Sequence, residues 1–102
     1  MLPALFAEAM GTFIFFSCIL FYGAEDAWAV AVGLLAAIYA VGKASDGHFN
    51  GTLSLLRYVQ GGLTLSQLLG YLIAQFSGAL AAMAWYNIAG AKGKAASRKN
   101  AN

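Results

Sequence analysis

Three long apolar stretches dominate the chain, at about residues 3–22, 27–43 and 65–89. Each is close to the roughly 20 residues that a helix needs to cross the hydrocarbon core of a bilayer. Two polar side chains stand out inside them, Glu8 in the first stretch and Gln75 in the third. The pattern therefore predicts an all-α membrane protein with three transmembrane helices.

A polar, glycine-containing segment separates the second and third stretches, within residues 44–60. It continues into a short apolar piece, Thr52 to Val59, which as a helix would be about 12 Å long and would cross less than half of a core about 30 Å thick. Inside a bilayer, non-helical backbone is tolerated only where protein or a water-filled cavity surrounds it. We therefore predict a re-entrant loop followed by a half-helix.

Two capping signals place the helix starts around this loop. Asn50 precedes the short apolar piece, and asparagine is a favoured N-cap residue. Thr64 and Gln67 have the spacing of a capping box, which predicts that the third transmembrane helix begins at about Leu65.

Composition supports a bilayer as the solvent. The 102 residues are 61% hydrophobic and 10% charged, against about 45–50% and about 25% in average soluble domains. A larger helical bundle would require other chains, so we expect the partners to be the lipid bilayer and either another copy or a different membrane subunit, and no nucleic acid.

Glu8 should face protein or water, because a charged side chain at mid-membrane costs about 2.5–3.5 kcal/mol on insertion scales. The alternative is a position near the headgroups, where the carboxylate would be solvated. Gly33, Gly70 and Gly78 are small residues that allow neighbouring helices to approach closely.

Other chemistry is poorly supported. Cys18 is the one cysteine and His48 the one histidine, so no metal-ligand spacing occurs, and we expect no metal and no cofactor. Ser, His and Asp in the loop lie too close in sequence to form a catalytic triad, so enzymatic activity is not expected. His48 is either a hydrogen-bonded structural group or a proton relay.

The last segment, residues 91–102, changes composition abruptly. It is rich in basic residues and has no large apolar side chain, and we predict a basic flexible tail. Binding of this tail to anionic headgroups is the alternative.

Three separated motifs resemble the major intrinsic proteins, the family of aquaporins and glycerol facilitators. They are AEAMGT at residues 7–12, SDGHFN at 45–50 and YLIAQFSGA at 71–79. Their order and spacing are similar to those of the first repeat of that family. The resemblance implies one half of a fold in which two inverted repeats bring two half-helices together at the midplane of the membrane.

The resemblance also assigns roles to residues. It makes Asn50 the pore asparagine, and the carbonyl groups of Asp46, Gly47 and His48 the lining of one vestibule. Glu8 and Gln75 would be the scaffold that holds the re-entrant loop.

Several positions depart from the family pattern. Asn-Pro-Ala is replaced by Asn50-Gly51-Thr52, and glycine at the first helical position lacks the preorganisation of proline. Leu53 stands where the second repeat has the filter arginine, and Val30 where the second span usually contributes a bulky aromatic residue. Asp46 replaces a small residue at the loop mouth, where a carboxylate would attract cations.

Two functions remain open. The first is an aquaporin-like channel subunit for water or a small neutral solute, completed by a second half or an oligomer. The second is a non-conducting structural subunit within a larger membrane assembly. Orientation is also open, because family precedent places the N-terminus in the cytoplasm, whereas the basic tail favours a cytoplasmic C-terminus.

Overall fold

The structure, a computed structural model, describes the backbone of residues 1–101 and the side chains of residues 1–90. Its four α-helices are α1 (Leu2–Tyr22), α2 (Ala27–Val41), α3 (Gly51–Val59) and α4 (Leu65–Ala101), and a short 3-10 helix (Gly42–Ala44) follows α2. The described residues contain no strand.

Three segments are long and apolar enough to cross a membrane: Leu2–Tyr22, Ala27–Ala44 and Leu65–Gly90. These agree with the three predicted stretches, and the predicted all-α membrane fold is confirmed. The expected basic flexible tail falls on residues whose side chains lie outside the described part of the chain, so it stays a prediction.

Helix α1 is the centre of the fold, because it packs against both α2 and α4, while α3 packs against α4. Glycine residues on α2 and α4 allow both helices to pack closely against α1. A Cβ atom on Gly33 in α2 would lie 2.7 Å from the Cβ of Cys18, and one on Gly78 in α4 would overlap the carbonyl oxygen of Ala9. Small residues thus let the backbones approach more closely than larger side chains would allow.

The predicted caps at α3 and α4 are confirmed. The Asn50 side chain accepts a hydrogen bond from the Thr52 N–H at 2.8 Å. At the start of α4, the Gln67 N–H donates to Thr64 Oγ1 at 3.1 Å, and the Thr64 N–H donates to Gln67 Oε1 at 2.9 Å. Both partners of the capping box are therefore satisfied.

The outer surface of the helices is strongly apolar. Trp28 and Tyr39 in α2 are each more than four-fifths exposed, and Leu80 in α4 is 70% exposed. Such a surface is suited to lipid or to further membrane helices rather than to water.

Candidate functional site

The loop between α2 and α3 is held by one buried carboxylate on α1. Glu8 is completely buried. Its Oε1 accepts hydrogen bonds from the Phe49 N–H at 2.8 Å and from Gln75 Nε2 at 2.9 Å. Its Oε2 accepts from Ser45 Oγ at 2.6 Å and from the His48 N–H at 3.1 Å.

This arrangement uses the full accepting capacity of the carboxylate. An ionised carboxylate has about four acceptor positions, and Glu8 receives four hydrogen bonds. Hydrogen bonds to a charged group are about twice as strong as neutral ones, so they offset much of the cost of burying the charge. Glu8 therefore lies inside protein, and the alternative of a solvated position near the headgroups does not hold.

A second set of hydrogen bonds ties the same loop to α3 and α4. His48 Nδ1 lies 2.9 Å from Ser54 Oγ, and Gln75 Nε2 donates to the same oxygen at 2.8 Å. The Tyr71 hydroxyl donates to the carbonyl oxygen of Ser45 at 3.0 Å. Ser54 is thus the point at which the histidine of the loop and the glutamine of α4 meet.

The histidine of this network lies in the loop, between the spanning helices. Burial lowers the pKa of the His48 imidazole from its ordinary value, while the neighbouring Glu8 carboxylate acts in the opposite direction. With Gln75 donating to Ser54 Oγ, the Ser54 hydroxyl hydrogen is free to donate to His48 Nδ1. A neutral imidazole bound in this way carries its hydrogen on Nε2.

Two non-glycine residues of the loop adopt left-handed backbone conformations. Asp46 has φ 70° and Phe49 has φ 52°. Phe49 is fully buried, and its ring lies where a side chain on Gly11 of α1 would be. The left-handed region is unfavourable for a bulky residue, so the surrounding contacts must stabilise it.

Asn50 stands at the end of this loop and is exposed. Its amide oxygen is used by the cap on Thr52 N–H. Its two amide N–H donors are therefore available to groups outside the chain. They lie at the N-terminus of α3, where the helix dipole contributes a partial positive charge.

A cavity of about 510 Å³ opens beside this helix end. Two buried polar atoms of residues that border it have no hydrogen-bond partner within residues 1–90, Thr12 Oγ1 and Gln75 Oε1. The remaining lining is mostly apolar. The lining residues are Thr12, Phe16, Phe49, Asn50, Gly51, Thr52, Leu55, Gln75, Phe76 and Ala79.

The structure brings together some, but not all, of the residues selected from the sequence. Glu8, Gln75 and His48 are brought into one hydrogen-bond network, and Asn50, Gly51 and Thr52 border the cavity. Asp46 is exposed and Gly47 is half-buried at the other end of the loop. Val30 and Leu53, which the resemblance places at filter positions, do not border the cavity.

Sequence reasoning missed Thr12, Ser45, Ser54 and Tyr71 as parts of the site. Tyr71 precedes Gln75 by four residues, so helical spacing placed both on one face of α4 and could have identified it. Thr12 follows Glu8 by four residues, so these two side chains share one face of α1. Ser54 had no comparable signal, because its partners come from the loop and from α4.

Within residues 1–90, no group of three or more His, Cys, Asp or Glu side chains is placed to hold a metal ion. That the protein binds no metal or cofactor remains a prediction from the sequence.

The fold and the site define an integral, multi-pass, all-α membrane protein in which a buried carboxylate holds a loop between the spanning helices. No solved structure matches the chain. The sequence model of the major intrinsic protein family matches residues 1–101, so the chain belongs to the major intrinsic protein family. The resemblance seen in the three motifs is confirmed, and the chain is a member of an aquaporin-like channel family whose members are not enzymes.

Proposed function

We propose that this chain is a channel subunit for water or a small neutral solute, and that a second half completes its pore. The observation that carries the proposal is the position of Asn50. Its amide donors are exposed at the N-terminus of α3, while its amide oxygen is bound by the cap.

The chemistry of this helix end suits neutral solutes with a hydrogen-bond acceptor. Two N–H donors and the positive end of a helix dipole bind the oxygen of water or of a small polar molecule, and they repel cations and protons. No strongly basic or acidic side chain borders the cavity beside Asn50. An ion would therefore lose its hydration there without compensation.

The Glu8 network gives this helix end a fixed position. The N–H groups of His48 and Phe49, directly before Asn50, both donate to the Glu8 carboxylate. Because these bonds are buried and charge-assisted, the loop is restrained on the side facing α1. The Asn50 amide is thereby held in a fixed position, which selective hydrogen bonding to a passing solute requires.

The need for a second half is supported by the open side of the cavity. Phe76 is 66% exposed and Leu55 51% exposed beside Asn50. Large exposed apolar side chains at one opening are typical of a surface that another protein segment covers.

A second candidate is a non-conducting structural subunit. The two positions equivalent to the family's filter hold apolar residues, Val30 and Leu53. This supports a chain that has kept the family scaffold but lacks the constriction of a pore. In that case the exposed apolar surface would serve only for packing in a larger assembly.

Osmotic shrinkage of liposomes that contain the purified chain, followed by stopped-flow light scattering, separates the two candidates. The informative substitution is Asn50→Asp, which keeps an oxygen for the cap on Thr52 and removes both amide donors. Asn50→Leu removes the cap as well. We expect water permeability above that of empty liposomes for the native chain and a loss of the excess in both variants.

The matched control is Glu25→Gln, which exchanges a carboxylate and an amide at an exposed position between α1 and α2, away from the loop. It should leave the permeability close to native. Excess permeability that survives in Asn50→Asp would reject a path past Asn50. Folded, inserted protein with no excess permeability in any form would favour the structural subunit.

A further inference from the structure

A groove of about 370 Å³ runs between the first two turns of α1 and the end of α2, where the 3-10 helix follows. Its walls are mostly apolar and include Val41 and Phe6, which is 67% exposed. Two of the described side chains that line it are polar, Lys43 and Tyr39, and Tyr39 is 83% exposed. None of the lining residues borders the cavity beside Asn50, so the groove is a separate feature of the surface.

The groove lies at one membrane surface. Both of its walls are ends of spanning segments, because α1 begins at Leu2 and the second segment ends at Ala44. That second segment has 18 residues, which as a helix extend about 27 Å. This length is slightly less than the core thickness of about 30 Å, so the end of the segment that carries Lys43 lies level with the headgroups.

Lys43 contributes a positive charge that the chain does not compensate. It is exposed, and within residues 1–90 no carboxylate forms an ion pair with it. Asp46, the exposed carboxylate of the loop that follows, does not border the groove. The start of α1 adds positive potential, since the described residues of its first turn include no acidic side chain and Met1 does not cap it. The groove therefore combines an apolar wall with a positively charged rim.

We infer that this groove binds an anionic phospholipid. The phosphate contacts the Lys43 ammonium and the Tyr39 hydroxyl, and an acyl chain lies along the apolar wall. A lysine stem covers apolar surface while its ammonium reaches the polar region, and tyrosine is enriched at the same depth of a membrane. The inference does not depend on the proposed function, because the groove shares no residue with the cavity beside Asn50.

The distribution of carboxylates argues against a second copy of the chain as the occupant. The chain has four Asp and Glu residues, and Glu8 is buried in its own network. Glu25 and Asp26 lie in the turn that follows α1, at the opposite membrane surface. A parallel copy therefore offers only Asp46 at the depth of Lys43. An anionic lipid brings net negative charge to this depth at every position around the protein.

Lipid titration of the purified full chain tests the site. The chain in detergent micelles is titrated with palmitoyl-oleoyl phosphatidylglycerol or phosphatidylcholine, which share their acyl chains and differ in net charge, and bound lipid is counted by native mass spectrometry. Lys43→Gln removes the ammonium. Arg57→Gln is the matched control, because it removes one exposed positive charge from α3 outside the groove. Any contribution of the basic residues after Gly90 is the same in both variants.

We expect one phosphatidylglycerol molecule to bind more tightly than phosphatidylcholine. Lys43→Gln should weaken phosphatidylglycerol binding about fivefold, the effect of one lysine near an anionic surface, and change phosphatidylcholine binding less than about twofold. Lys43→Arg and Arg57→Gln should bind both lipids like the unsubstituted chain. Equal losses in Lys43→Gln and Arg57→Gln would overturn the inference, because they would show a diffuse attraction without a defined site.

Filling the groove tests the place of the acyl chain. Ala40 lines the groove and is exposed, so Ala40→Phe adds a ring there without disturbing the interior. Ala31→Phe makes the same change at an exposed position of α2 outside the groove. We expect the tightly bound lipid to be lost in Ala40→Phe and kept in Ala31→Phe, with helix content by circular dichroism unchanged in both. Tight binding that survives in Ala40→Phe would reject the groove.

Two further measurements exclude other occupants. Glycerol phosphate, which has the anionic group without acyl chains, should not displace phosphatidylglycerol at millimolar concentration. Displacement would reassign the site to a soluble phosphate. A chain dimer in lipid-free micelles that Lys43→Gln dissociates would instead assign Lys43 to a protein contact, with Glu25 and Asp26 of an antiparallel copy as the available carboxylates, and would equally overturn the inference.

Discussion

The ring of Phe49 lies in the space that a side chain on Gly11 would occupy. Gly11 is on α1, next to the middle of the helix, and Phe49 is the last residue of the loop before Asn50. The absence of a side chain at position 11 thus allows the loop to pack directly against the helix that carries Glu8.

We expect Gly11→Ala to destabilise the protein. The new methyl group would overlap the Phe49 ring, and overpacking of this kind costs about 1–3 kcal/mol. The loss should appear as a lower free energy of unfolding in mixed detergent micelles titrated with sodium dodecyl sulfate. Gly70→Ala on α4 is the control, because its Cβ would lie 3.0 Å from the flexible end of Leu5. An equal loss in both variants would contradict the special role of the Phe49 contact.

Replacing the buried carboxylate should have a larger effect. Glu8→Gln keeps the size of the side chain but replaces one accepting oxygen with an N–H₂ group, so two of the four donors lose their acceptor. We expect a loss of about 2–5 kcal/mol in the free energy of unfolding. Glu25→Gln, at an exposed position between α1 and α2, makes the same chemical change and should be close to neutral. Native-like stability of Glu8→Gln would contradict the importance of the four hydrogen bonds that the carboxylate accepts.

Restoring proline at the start of α3 should stabilise the half-helix. The N–H of a first helical residue has no partner inside its helix, and proline is preorganised for this position. Asn50 has φ −156° and ψ 127°, an extended conformation that a following proline permits. We expect Gly51→Pro to add about 0.5–1 kcal/mol to the free energy of unfolding, provided that the side chain of Leu72 shifts slightly.

The control for this substitution is the next residue. Thr52→Pro removes the N–H that donates to the Asn50 side chain, so it should cost about 1 kcal/mol or more. If both proline variants are equally destabilised, the cap geometry described for Asn50 is wrong.

The left-handed conformation of Asp46 predicts an order of stability. Asp46→Gly and Asp46→Ala both remove the carboxylate, but only glycine adopts φ 70° without steric strain. We therefore expect the glycine variant to be more stable than the alanine variant by about 1 kcal/mol in thermal unfolding followed by circular dichroism. The opposite order would show that the Asp46 backbone relaxes out of this conformation.

Residue types and their spacing were enough to predict the three spanning segments, the short α3 and the caps at Asn50 and Thr64. These features depend on local free energies, because apolar length decides whether a segment crosses a bilayer and a side chain within three residues decides where a helix begins. The resemblance carried by residues 7–12, 45–50 and 71–79 identified the family for the same reason, since it required only residue types and spacing.

The contacts between distant groups became apparent only from the packing of the helices and the loop. Glu8 bonds to residues 37–67 positions away along the chain, and the close contact of Gly11 with Phe49 depends on how the loop crosses α1. The unpaired oxygen of Gln75 could not be inferred either, since it follows from both hydrogens of Nε2 being used elsewhere. Such partners depend on the packing of whole helices, which local sequence patterns do not specify.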